Sequence, residues 1–149
     1  MSSVKLSVIR SRLKTAIESI AGAGLKESPL PFQAFGRTPN SIAHKSFSVG
    51  ILNSISAEDR QKPTIGTLTE TNTQIQLSYR LKPLAQNVGV DNSMDLENDI
   101  IIALCDRTDV NLYPNLHIKF VSVDRNLVDT GEYLLSSINF EILHYLPLQ

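Results

Sequence analysis

From Leu6 onward, apolar side chains recur at Leu6, Ile9, Leu13, Ala16, Ile17 and Ile20. Steps of three and four residues put them on one face of a helix. Ser2 or Ser3 stands where a side chain can cap the first amides, and Ala21-Gly22-Ala23-Gly24 predicts the end. Residues 21–45 then bring glycines together with Pro29, Pro31 and Pro39, which predicts a long connection that neither a helix nor a central strand can cross. It reads either as an edge segment packed by Leu30, Phe32 and Phe35 or as a binding arm.

After it the period changes to two. Phe47, Val49, Ile51, Asn53 and Ile55 alternate with Ser48, Gly50, Leu52, Ser54 and Ser56, the pattern of a half-buried strand. A polar excursion through Glu58-Asp59-Arg60-Gln61-Lys62-Pro63 leads to a second strand, in which Ile75, Leu77, Tyr79 and Leu81 alternate with Gln74, Gln76, Ser78, Arg80 and Lys82. The two are expected to pair antiparallel as an extended hairpin whose tip projects from the body. Asn92 and Asp95 have capping-box spacing, so a second helix is expected from about Asn92 through Leu96, Ile100, Ala103 and Leu104, with Asp95, Glu97 and Asp99 near its positive end. Two further strands are read at Asn115 to Asp124 and Glu132 to Tyr145, with Ile118, Phe120, Ile138, Phe140 and Ile142 buried and the turn between Asp124 and Gly131. Helix, two strands, helix, two strands predicts one α+β domain over residues 1–149. Its sheet is mainly antiparallel, of about four strands, with two helices packed on one face.

At 149 residues the chain is the size of one domain and can bury a core without disulfides or a structural metal. No apolar run approaches the roughly 18 residues of a membrane span. Lys5, Arg10, Arg12 and Lys14 interrupt what would otherwise be a signal peptide's apolar stretch. One cysteine and no N-x-Ser/Thr sequon point to synthesis in a reducing cytoplasm. The net charge of −1 conceals a division: residues 1–75 hold nine basic and five acidic groups, residues 76–149 five basic and ten acidic, so the halves carry +4 and −5. That division suits head-to-tail attraction between copies, and ordinary scatter of surface charge produces it too. It does not supply the domain-wide basic field that nucleic-acid binding requires.

Candidate chemistry is sparse. A metal or acid–base site needs at least two of His44, His117 and His144 to converge. If the last hairpin turns near residues 127 and 128, His117 lies opposite about position 138, away from His144. Cys105 reads as a small buried side chain. Asp91 to Asp99 resembles a calcium loop in composition, yet Leu96 and Ile102 stand where Gly and a bidentate Glu are needed. Phosphate-loop, dinucleotide, nucleophile-elbow and zinc-protease motifs do not occur. An enzyme, a cofactor and a metal are therefore not expected.

A larger pattern emerges from local phrases: the amphipathic first helix, the Pro-containing segment, Lys45-Ser46-Phe47-Ser48-Val49, and Gln76-Leu77-Ser78-Tyr79-Arg80-Leu81-Lys82-Pro83. The acidic helix from Asp95 to Arg107 follows, then Gly131-Glu132-Tyr133-Leu134-Leu135-Ser136-Ser137-Ile138-Asn139-Phe140. Together they resemble the tail terminator (tail completion) proteins of tailed bacteriophages. The resemblance implies a small α+β subunit that forms a ring, commonly a hexamer, on the head-proximal end of the tail tube, made in the host cytoplasm and resident in the virion. It implies that the ring ends tube growth, with the tube protein and a neck or head-completion protein as partners and DNA passing through the lumen without sequence-specific binding. It carries over no catalytic residues.

Placement and charge suggest which residues would serve such an assembly. Arg10 and Lys14 on the first helix could meet Asp95 and Asp99 on the second helix of a neighbour. Glu58, Asp59, Arg60 and Lys62 at the hairpin tip could reach a tube or neck subunit, and residues 25–40 could act as an arm. Three other readings stay open: a different connector or tube subunit, a monomeric adaptor binding a peptide at a free sheet edge, and a hydrolase with an unrecognised Asp/His site.

Overall fold

The computed structural model describes residues 3–27, 44–57, 66–81, 86–128 and 133–147. The chain runs α1 (Leu6–Glu18), β1 (Lys26–Glu27), β2 (Ser46–Ser56), β3 (Thr67–Arg80), α2 (Gln86–Leu104), β4 (His117–Val128) and β5 (Tyr133–Leu146). Five strands form one sheet in the order β1-β2-β3-β5-β4. All neighbours are antiparallel except the two-residue edge strand β1, which runs parallel to the start of β2. The expected α+β architecture is the one observed, with β1 adding a fifth strand from within the segment read as a connection.

Both helices cover the same face. Ile9, Leu13 and Ile17 of α1 and Leu96, Ile100 and Leu104 of α2 are buried in one cluster. They meet Phe47 of β2, Ile75, Leu77 and Tyr79 of β3, and Leu134, Ile138, Phe140 and Ile142 of β5. These strand positions alternate, as a sheet with one covered face requires. α1 packs over β2, and α2 over β3 and β5.

The helix starts differ from expectation. Ser3 does not cap α1; it forms a parallel bridge with Tyr145, and the Val4 amide donates to the Tyr145 carbonyl at 2.8 Å. Lys5 occupies the cap position without a side-chain bond. α2 begins at Gln86, six residues before the expected Asn92, so Asp95, Glu97 and Asp99 lie inside the helix rather than at its positive end. Its first turns lie close to the end of β3: a Cβ at Gly89 would stand 2.8 Å from Leu81 Cδ2, so a larger residue there requires the Leu81 side chain to shift.

The hairpin is present and longer than expected. β2 pairs with β3 from Ser46↔Ser78 to Ser56↔Thr69, so β3 starts at Thr67, ahead of the apolar alternation around Ile75 from which the strand is read. Thr67, Thr69, Thr71 and Thr73 occupy its buried side, which a hydroxyl on a β-branched stem suits. A bulge at Leu52 breaks the alternation of β2. Phe47, Val49 and Ile51 face the helices, whereas Asn53 and Ile55 turn to the opposite face, where Ile55 is 57% exposed. Gly66, at φ +117°, leads into β3 so close to the Leu146 carbonyl that any Cβ would collide with it.

β4 continues to Val128, so the turn is shorter than Asp124 to Gly131. Because β4 is the last strand of the sheet, Phe120 is 38% exposed rather than buried, and Ile118 is partly buried. Ile138, Phe140 and Ile142 are buried as expected.

Candidate functional site

The basic residues expected at an interface lie on the flank of α1 next to β1. Arg10 Nη2 donates to Glu27 Oε1 at 2.6 Å, and Lys14 stands 3.9 Å from Glu18 one helical turn away. Exposed pairs of this kind contribute about 0–1 kcal/mol, so a partner's carboxylate could replace either one. Asp95 and Asp99 are exposed on α2, and Asp95 lines a shallow cleft with Lys45, Tyr79, Asn92 and Leu96. Among the described residues no ion pair joins Arg10 or Lys14 to Asp95 or Asp99. Glu58, Asp59, Arg60 and Lys62, and most of the arm at 25–40, lie outside the described residues.

The three histidines do not converge. His117 pairs with Leu143, not with position 138, because β4 and β5 run further before they turn. That puts His117 beside His144 in register but on the other face, since consecutive strand residues point to opposite sides. His144 is fully buried, with Nε2 2.7 Å from Thr71 Oγ1. Burial pushes its pKa down, the backbone of Tyr145 opposing. His44 accepts the Arg80 amide at Nδ1 (3.2 Å) and stacks edge-on against Tyr79. Its pKa is lowered first by burial, then by the charges of Lys45 and Arg80.

A cleft of about 280 Å³ opens between the end of α2 and the start of β4, lined by Cys105, Asp106, Arg107, Tyr113 and His117 among others. Its chemistry is quiet. Burial raises the Cys105 thiol, disfavouring the thiolate that nucleophilic attack needs. Asp106 is occupied by the amide and hydroxyl of Thr108, at 2.8 and 2.7 Å, which hold its carboxyl below the usual range. Arg107 lies over the Tyr113 ring at 5.9 Å. Among the described residues no group of three His, Cys, Asp or Glu could hold a metal ion, and no helix is long and apolar enough to cross a membrane.

The strongest polar cluster is one that sequence reasoning passed over. Glu97, buried in α2, accepts Arg125 Nε at 2.7 and 2.9 Å and Ser136 Oγ at 2.8 Å. The Glu97 carboxylate raises the Arg125 pKa, chiefly through these hydrogen bonds. One helix is thereby tied to two strands. A signal was present: Ser93, Glu97, Ile100 and Leu104 follow the helical period, which places a carboxylate in the buried register.

On the face away from the helices, a transverse row of polar side chains crosses the sheet. Asn72 donates to Asn53 at 2.7 Å, Gln74 to Asn139 at 3.1 Å, and Asn139 to Ser122 at 3.0 Å. The row itself is uncharged, and Glu70, Glu141, Lys119 and Asp124 share the face with it.

No protein-family model and no curated protein sequence matches this chain. A solved chain from an Akkermansia muciniphila structure without its transmembrane region aligns at a TM-score of 0.41 with 11% identity, over 100% of this chain and 90% of that one, too distant a likeness to use. A chain of the "Virion of native gene transfer agent (GTA) particle" superposes at a TM-score of 0.67, with 14% identity over 95% of this chain and 98% of that chain. This chain therefore shares its whole fold, end to end, with a subunit of that virion.

Proposed function

We propose that the protein is a structural subunit of a phage-like virion, and within that class a tail terminator: a ring, of six copies in the commonest form, that caps the head-proximal end of a tail tube and presents a surface to the neck. The observation carrying the reading is the end-to-end fold likeness to a virion chain, in which neither partner has a large unmatched part. The sequence resemblance to tail terminators agrees with it. The helix-free face, with its hydrogen-bonded amides, suits a lumen through which DNA slides without being held, since it offers phosphates no row of cations. Arg10 and Lys14 facing Asp95 and Asp99 of a neighbour would add attraction between subunits, and Glu58, Asp59, Arg60 and Lys62 would contact tube or neck.

Light scattering on a size-exclusion column, with and without purified tail tubes, tests the ring. A ring-sized species in solution, or assembly only on tubes, is expected; a monomer indifferent to tubes at every salt concentration overturns the reading. Loss of the protein should leave tubes of unregulated length, and normal tails in its absence would point to another neck or tube subunit. Charge reversal at Arg60 and Lys62 should weaken docking to tubes. Unchanged docking would remove the tip from the contact.

A further inference from the structure

Arg10, Lys14 and Arg125 each lie against a carboxylate of this chain. The cleft between the end of α2 and the start of β4 is different. Arg107, His117 and Lys119 line it, and among the described residues no carboxylate forms an ion pair with any of the three. Glu141 stands opposite Lys119 across the ladder without pairing to it. Asp106 is the one acid in the wall, and its Oδ1 accepts both the amide and the hydroxyl of Thr108.

Two of these donors are braced by a single ring. Arg107 lies over Tyr113 at 5.9 Å from its centre, and His117 meets the same ring edge-on at 5.2 Å. A guanidinium and an imidazole from two different segments are thus held against one aromatic wall, so less rotamer freedom remains to be lost when they bind something. His117 and Lys119, two residues apart on β4, emerge on the same side of the strand. Leu104, Leu112 and Leu116 at the base are buried, and hydrogen bonds made beside such a floor are stronger than those made in open water.

We infer that this cleft seats the carboxylate side chain of an acidic segment on a partner protein, with Arg107 and His117 as its donors, Lys119 as a second fixed cation and Tyr113 as a positioning residue. At about 280 Å³ the cleft has room for one side chain rather than for a larger ligand. The planar fork of Arg107 matches a carboxylate. Asp106 and the carbonyl end of α2, at the same rim, oppose a second negative charge, which favours a singly charged carboxylate over a phosphate. This contact adds to the virion reading and does not depend on a ring.

The test is an NMR titration of the intact chain, read at the Arg107 Nε–H and Tyr113 ring signals. The probes are acetyl-Ala-Glu-Ala-amide, its Gln counterpart and inorganic phosphate. The Glu peptide should shift both signals saturably, and the Gln peptide should not. Arg107→Gln should weaken binding roughly tenfold or more, read at the Tyr113 ring. Tyr113→Leu, which keeps every cation but removes the brace, should weaken it as well. Lys119→Gln gives a second reading should Arg107→Gln perturb the fold, and Lys26→Gln at the other edge of the sheet should change nothing. Equal shifts from the Glu and Gln peptides, no saturable shift, or an equal loss from Lys26→Gln overturns the site. Phosphate binding more tightly than the Glu peptide overturns the carboxylate assignment. None of these outcomes bears on whether the protein forms a ring, which the light-scattering measurement decides separately.

Discussion

Glu97 bears more structural weight than any residue singled out from the sequence. The residue is 2% exposed, and three hydrogen bonds from Arg125 and Ser136 compensate the loss of water around its carboxylate. Arg125→Ala leaves that charge with Ser136 alone. It should cost about 1.5–3 kcal/mol, the range for hydrogen bonds to charged groups, and toward the lower end because Arg125 is partly solvated. Urea unfolding reads this directly, and Arg125→Lys should recover only part of the loss, because an ammonium cannot reproduce the guanidinium's planar geometry. The histidines act on pH dependence. His44 and His144 both have depressed pKa values in the fold, against an ordinary value of 6.5. Between the folded values and 6.5 the unfolded chain binds more protons, so their stabilising contribution is complete above about pH 6.5 and is lost on acidification. The urea midpoint should fall from pH 7.5 to 5.5, and His144→Gln should flatten that fall whatever it does to the absolute midpoint.

Elements differ in how openly the chain announces them. α1 was legible from its spacing because one face meets the core and the other meets water, and the same held for the apolar ends of β3 and β5. The start of α2 was not: Gly89, Asn92 and Ser93 are weak helix formers, and the close approach of Gly89 to Leu81 is a tertiary contact that no local rule announces. Gly89→Val pushes the buried Leu81 side chain aside, and this overpacking should outweigh the gain from removing a helical glycine, for a net destabilisation of about 1 kcal/mol. Thermal unfolding checks the sign. The threonine half of β3 was passed over for a related reason, since alternation of Thr with Glu, Asn and Gln carries no apolar contrast. The exposed side of Phe120 was hidden because strand order, not strand pattern, decides which strand lies at the edge. Of the candidate contacts, the sequence marked the charges on both helices but not the Glu97 tie.

At the scale of the molecule, the +4 and −5 halves suit head-to-tail attraction between copies, and ordinary scatter of charge also produces such a division. The fold sets the two helices next to each other on one face, so the division runs across that face, and Arg10 and Lys14 turn toward the β1 side. The bridge from Ser3 to Tyr145 has a further consequence, because it brings the first described residue of the chain against the last strand. The order in which the elements are synthesised is then separable from the order in which they pack. A circular permutant, with residue 149 joined to residue 1 by a short Gly-Ser linker and new ends opened between Ser56 and Gly66, should reach the same circular dichroism spectrum as the parent, with a melting temperature lower by only a few degrees. Such a permutant moves both chain ends to the far end of the hairpin, where a fluorophore or affinity handle would report on whatever the tip touches.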